Sequence, residues 1–266
     1  MLEIVSEPDL FSPDEVFAYL TSLRNSLVYA GISDCDMEKG QMRCDANVSV
    51  RPVGQKELGT KVELKNLNTI SGVRNGVEYE IQRQTSVLRE GGSLTQETRR
   101  WNPDQRYTTA MRSKEMAHDY RYFPDPDLMP VKIDDAWIER IREEIPEMPF
   151  DKQRRFIEQY GLPYSSTSPL CPDKELCDFF EATVARCKDP KKAANWIVND
   201  LLRELSSAGD EDGPMPLGNA KMTPAHVAEL VNLVEEGSIS SNIAKEIFPE
   251  TFATGKMPAQ IVDEKG

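Results

Sequence analysis

The sequence has almost no histidine, with two residues, His118 and His226, in 266. Its five cysteines, Cys35, Cys44, Cys171, Cys177 and Cys187, are odd in number, widely spaced and without a CxxC pair. No histidine lies near Cys171 or Cys177, which argues against a zinc site and in favour of buried, reduced thiols. No apolar run approaches the roughly 20 residues of a membrane-spanning helix, and no basic stretch followed by an apolar core opens the chain. The sequence therefore reads as cytoplasmic. Neither GxxxxGKS/T nor GxGxxG occurs, so a nucleotide site of the P-loop or Rossmann kind is excluded. Basic charge is also short: 32 Lys and Arg against 45 Asp and Glu leave a net charge of −13. A surface that binds nucleic acid over its whole extent is excluded by that balance. Arg154–Arg155 and Lys188 with Lys191–Lys192 are local basic patches, read first as solvated helix faces.

What is present is an ordinary globular composition, 39% hydrophobic and 29% charged, in a chain long enough for two domains. The most informative stretch is Arg43-Cys44-Asp45-Ala46-Asn47-Val48-Ser49-Val50-Arg51, followed by Lys61-Val62-Glu63-Leu64-Lys65-Asn66. Both alternate apolar and polar residues with the period of a strand, so each has one apolar and one polar face. The polar face combines carboxylates, an amide and cations, as a site for a phosphate-bearing substrate would. Val53 to Gly59 closes the two strands into an antiparallel hairpin, which sets Arg51 near Lys61, Ser49 near Glu63 and Asn47 near Lys65.

Around this pair, Met1 to Glu7 reads as a strand. Ser12-Pro13-Asp14-Glu15 is a capping box opening a helix with Val16, Leu20, Leu23 and Leu27 on one stripe, stopped at Gly31. A helix of about five turns carries Ile70, Val73, Val77, Ile81, Gln84 and Leu88, and Gly91-Gly92 ends it. Leu94 to Trp101 and Tyr107 to Arg112 form a further hairpin about Asn102-Pro103-Asp104. The proline-punctuated Asp119 to Asp127 reads as an ordered loop. From residue 134 onward the periodicity is helical. The expected architecture is α+β: a partial antiparallel-sheet domain over 1–133, an all-helical domain over 134–257, and at 258–266 the start of a further helix. Both ends read as cut.

These motifs resemble the GatB family, the B component of the aspartyl/glutamyl-tRNA amidotransferase. The resemblance rests on Leu2-Glu3-Ile4-Val5-Ser6-Glu7-Pro8-Asp9, Arg43 to Ser49, Glu63-Leu64-Lys65-Asn66-Leu67-Asn68, Gln96-Glu97-Thr98-Arg99-Arg100, Asp119 to Asp127, and Ser240 to Lys245. It implies a cradle domain with an ATP-dependent activation site, here its second half, then a helical domain, with the tail domain only begun. It also implies ATP and Mg2+ as cofactors. The implied partners are the amidase (A) component and the small (C) component of a heterotrimer. The implied substrate is mischarged Glu-tRNA(Gln) or Asp-tRNA(Asn), with no membrane or DNA role.

Under that resemblance Asp45, Asn47, Glu63 and Lys65 are the expected catalytic residues. Glu3 and Glu63 are metal-ligand candidates, and Arg43, Lys65 and Arg99 bind phosphate. Asp45 either joins the metal or accepts hydrogen bonds along an ammonia route, while Asn47 orients a substrate group. Read from pattern alone, Glu63 and Lys65 make an ordinary cross-strand salt bridge. Glu3 between Leu2 and Ile4 fits a plain alternating strand almost equally well. Asp45 and Asn47 are harder to account for as decoration, because both residue types disfavour strands. Tyr120, Tyr122 and Phe123 either stack on a base or pack on the sheet. His118 and His226 are taken as surface or cap residues. A non-catalytic tRNA-binding and assembly module is the alternative function.

Overall fold

The computed structural model describes residues 2–111, 126–210 and 213–265. These divide into two compact units, 1–144 and 145–266, eleven residues beyond the boundary expected after 133. In the first, α1 (Pro13–Tyr29) begins where Ser12 accepts a hydrogen bond from the Glu15 amide. Glu15 reaches back to the amide of Phe11 at 2.5 Å. One orphan amide of the first turn and the amide just before the cap are thereby satisfied.

Four strands form one sheet in the order β1 (Cys44–Val48), β2 (Val62–Leu67), β3 (Glu97–Asn102), β4 (Tyr107–Ala110). β1 and β2 pair antiparallel, as do β3 and β4, whereas β2 and β3 run parallel. The sheet is thus mixed where an antiparallel one was expected. The cause is α2 (Ile70–Arg89), whose 20 residues carry the chain back along the sheet before β3 begins. The class remains α+β.

The α2 helix is capped by Thr69, whose side chain accepts from the Gly72 amide. Its Val73 and Val77 join Val62, Leu64, Leu67 and Trp101 in one core. A Cβ on Gly76 would lie 3.0 Å from Leu67 Cδ2 and 3.5 Å from Trp101 Cδ2, so glycine there lets helix and sheet approach. Gln84 is fully buried and polar. Its Nε2 donates to Val48 O (3.0 Å) and its Oε1 accepts from Val50 N (3.1 Å), ending β1 at Val48.

The hairpin register differs from the expected one by two residues. Asn47 lies opposite Glu63 and Val48 opposite Val62. A two-residue shift keeps every side chain on its face, so alternation cannot detect it. Beyond Val48, the loop is fixed by Gly59, whose absent Cβ would stand 2.0 Å from Val50 O. Leu2 to Ser6 form no strand, and Leu2, Ile4 and Val5 are exposed. Among the described residues no strand pairs with them, and alternation without a partner does not make a ladder. Most of Asp119 to Asp127, with Tyr120, Tyr122, Phe123 and His118, lies outside the described residues.

α3 (Asp135–Glu144) belongs to the first unit and buries no residue. The second unit is all helical: α4 (Pro149–Tyr160), α5 (Tyr164–Leu170), α6 (Lys174–Val184), α7 (Pro190–Asn195), α8 (Leu202–Ser207), α9 (Pro224–Glu235), α10 (Ser241–Thr254) and α11 (Pro258–Lys265). Between α7 and α8 the helix continues through a π-helical turn, Trp196–Leu201. α5 escaped the sequence pattern, having only seven residues with a proline inside. α11 was expected to begin a separate tail, but fully buried Ile261 locks it into the core formed with Phe156, Phe180, Ile197, Leu230 and Phe248.

Candidate functional site

Along β1, Asp45 and Asn47 are exposed while Cys44, Ala46 and Val48 turn inward; along β2, Val62 and Leu64 are buried while Glu63 and Lys65 are half-buried. The polar faces of the two strands are the same face of the sheet. On it the Lys65 ammonium donates to Asp45 Oδ2 at 3.1 Å and lies 3.3 Å from Glu63 Oε1. The hydrogen bond to Asp45, with both carboxylate charges, raises the Lys65 pKa against partial desolvation. Lys65 is therefore a fixed cation between two anions. Asn47, paired across the strands with Glu63, completes the four residues singled out from the sequence.

A bulge positions this group. Lys65 and Asn66 together oppose Asp45, and Asn66 adopts a left-handed conformation (φ 65°). Its side-chain amide donates to Trp101 O at 2.9 Å, which holds that conformation. Arg43, just before β1, lines a cavity of about 570 Å3 with Asp45, Asn66 and Asn68. Cys44 also lines it, but burial, with the Asp45 charge, pushes its thiol up to about 11, so it remains protonated at neutral pH.

The other expected residues fall elsewhere. Glu3 is exposed on the irregular segment before α1, outside the sheet. Arg99 sits on the sheet face that α2 covers. There its Nε donates to the Thr108 hydroxyl (2.7 Å), its Nη1 to Glu97 Oε1 (2.7 Å), and it lies 3.8 Å from the fully buried Glu80. It supports the core of the unit and is turned away from Glu63 and Lys65.

Sequence reasoning missed two residues on the site's own face. In the parallel pairing Glu63 is beside Thr98 and Lys65 beside Arg100. The Thr98 hydroxyl donates to Glu63 Oε2 at 2.7 Å. The signal was available: Trp101 had to face the core, and period two then places Arg99 with it and Thr98 and Arg100 opposite.

Four of the five cations in the basic patches of the helical unit pair with acids among the described residues. Arg155 is forked onto Glu147 (2.8 and 2.7 Å) and bonds Glu181 (2.7 Å); Arg154 lies 3.7 Å from Asp151; Lys188 bonds Glu236 (2.7 Å), and Lys192 pairs with Glu235. His226 is a cap residue: its ring bonds Thr223 across the start of α9 and the Gly255 carbonyl. None of the five cysteines forms a disulfide, and Cys35, Cys171 and Cys177 are buried. Among the described residues no helix is long and apolar enough to cross a membrane.

Fold and site together define a two-unit protein whose sheet presents a charged, solvent-facing polar surface. A family model described as GatB/GatE catalytic domain matches residues 1–139, and one described as GatB domain matches 178–266. The chain belongs to the GatB family. It is 60% identical over 268 residues to a protein of Opitutus terrae named as the B component of aspartyl/glutamyl-tRNA(Asn/Gln) amidotransferase, covering 100% of this chain and 54% of that protein. Proteins of the same name from Solidesulfovibrio magneticus and a Thermoanaerobacter species are 50% and 48% identical, with 100% of this chain and 55% of theirs covered. The chain thus spans about half the length of these relatives.

Proposed function

We propose that this chain carries part of the activation site of an aminoacyl-tRNA amidotransferase, a cytoplasmic ligase that uses glutamine as amide donor. One observation carries the reading: Asp45, Asn47, Glu63 and Lys65 converge on the solvent-facing side of the sheet in a chain of the GatB family. The products would be Gln-tRNA(Gln) from Glu-tRNA(Gln) and Asn-tRNA(Asn) from Asp-tRNA(Asn). The side-chain carboxylate of the substrate attacks the terminal phosphorus of ATP, and ADP leaves. Ammonia from the amidase component, held together with the small third component, adds to the acyl carbon of the resulting acyl phosphate, and inorganic phosphate leaves.

Lys65 would place positive charge at the transferring phosphoryl group, with Arg43 binding phosphate from the adjoining cavity. Asp45 would accept a proton from incoming ammonia or hold it by a hydrogen bond, and Asn47 would orient the carboxylate under attack. Magnesium takes one or two carboxylates and fills its shell with water and substrate phosphate. The donor set fits that use, since each Glu63 oxygen has a second lone-pair site beyond its bond to Lys65 or Thr98. Glu63 would hold the ion, which would neutralise phosphate charge; Glu3, outside the sheet, is not brought to it. An all-protein cage does not fit: among the described residues no three His, Cys, Asp or Glu are grouped to hold a metal.

The test is ATP-dependent conversion of Glu-tRNA(Gln) by the full-length gene product with its partner proteins. Glu63→Ala and Lys65→Ala are each expected to lower turnover about 100-fold or more, while tRNA affinity changes little. Undiminished conversion by both variants would overturn the assignment and leave the chain a tRNA-binding and assembly module.

A further inference from the structure

We propose that Arg100 is a further cation of this site, beside Lys65 and Arg43, and binds a phosphate group of a substrate. The inference rests on the reading above and adds a residue and a subsite to it. Three observations carry it. The parallel register sets Arg100 directly beside Lys65, on the face that also bears Glu63 and Thr98. Arg100 is exposed, and among the described residues it takes part in no ion pair, whereas Lys65 is engaged by two carboxylates. Finally, Arg100 lines a cavity of about 550 Å3 with Asn66, Asn68, Asn102 and Thr109.

The electrostatics show why a further cation matters. Within the ion-paired cluster on β1 and β2, Asp45 and Glu63 outnumber Lys65, and that local excess of negative charge repels a phosphate-bearing substrate. Arg100, on the neighbouring strand, cancels that excess and offers a planar fork able to hold two phosphate oxygens. Two of the asparagines are already committed to structure. Asn66 bonds Trp101 O, and the Asn102 carbonyl oxygen accepts from the Asp104 and Gln105 amides of the β3–β4 turn. Those bonds fix the two sides of the cavity and leave Arg100, Asn68 and Thr109 to face a ligand, with Asp104 of the turn as the one acid among the described lining residues. A phosphate could come from the nucleotide or from the end of the tRNA, and the chemistry of recognition is the same for both.

The experiment uses the full-length gene product in its complex and compares wild type with Arg100→Ala, Arg100→Lys and Arg99→Ala. Apparent KM is measured separately for ATP and for Glu-tRNA(Gln). Equilibrium affinity is measured for ATP with magnesium and for uncharged tRNA, neither of which requires turnover. Arg100→Ala is expected to weaken one of the two ligands about tenfold or more, with unchanged thermal stability and partial rescue by Arg100→Lys. Loss confined to ATP assigns the subsite to the nucleotide, and loss confined to tRNA assigns it to the acceptor end. Less than a twofold change for both ligands overturns the proposal. If Glu63→Ala and Lys65→Ala abolish conversion in the same assay, the activation-site reading stands and only the Arg100 subsite falls. If they do not, the binding measurements still decide on Arg100.

Discussion

Arg99 and Arg100 are neighbours in the chain with opposite consequences. Arg99 is 14% exposed and bonded to Glu97 and Thr108, beside a fully buried Glu80 that also binds Arg83 through both oxygens (2.9 and 2.6 Å) and accepts from Gln84. Removing one cation from such a network strips charge compensation from a carboxylate that water cannot reach. Arg99→Ala is therefore expected to cost about 3 kcal/mol of stability in chemical denaturation, with Arg99→Lys recovering only part because it cannot span Thr108 and Glu97 together. Arg100→Ala should cost well under about 0.5 kcal/mol in the same measurement, as surface substitutions do. Equal losses for both variants would refute the facing assigned to the two residues. Gln84 shows the same logic for a neutral group, since its amide replaces the ladder partner that Val48 and Val50 lack on that side.

At the level of elements, the sequence disclosed strands and helices wherever a periodic pattern met a punctuating residue. Ser12-Pro13, Gly31 and Gly91 mark real helix ends, and the β1 and β2 alternation put Asp45, Asn47, Glu63 and Lys65 on one face of the sheet. Three things were invisible for physical reasons. Register slips of two preserve facing, so the pairing of Asn47 with Glu63 needed the Gln84 strut and the Gly59 contact to be seen. The parallel β2–β3 pairing depends on where α2 returns the chain, a tertiary fact. An alternating run such as Leu2 to Ser6 signals strand even where nothing pairs with it. The α2–sheet contact offers the sharpest check at this scale. Gly76→Val would force branched methyls against Leu67 and Trp101, and a loss of about 1–3 kcal/mol in the unfolding of the sheet unit is expected. Gly91→Ala serves as the control at a positive-φ position with open space around it, where only the smaller backbone strain of about 1 kcal/mol applies.

For the molecule as a whole, a net charge of −13 means that acids outnumber bases by 13, so the well-made ion pairs weigh heavily in how it responds to acid. In the helical unit Arg155 of α4 ties Glu147, which precedes that helix, to Glu181 of α6, and Lys152 bonds Glu181 and Asp178 from the same side. The Arg155 guanidinium holds the Glu147 carboxyl below its ordinary value near 4.5. A folded-state pKa below the unfolded one means that the unfolded chain binds more protons at acidic pH. The resulting stabilisation is complete above the ordinary carboxylate value and disappears as pH falls through the folded-state value. Because Glu147 is partly exposed, solvent screening limits this contribution to about 0.5–1 kcal/mol. Glu147→Gln is expected to destabilise the helical unit by that amount at pH 7, with the difference from wild type shrinking below about pH 4.5 and vanishing at the acid end. Denaturant titrations of both proteins at a series of pH values measure it directly. A difference that stayed constant into acid would mean that Glu147 stabilises by packing rather than by charge. High salt at pH 7 should reduce the difference in the same way that acid does, since both act on the same pair of charges.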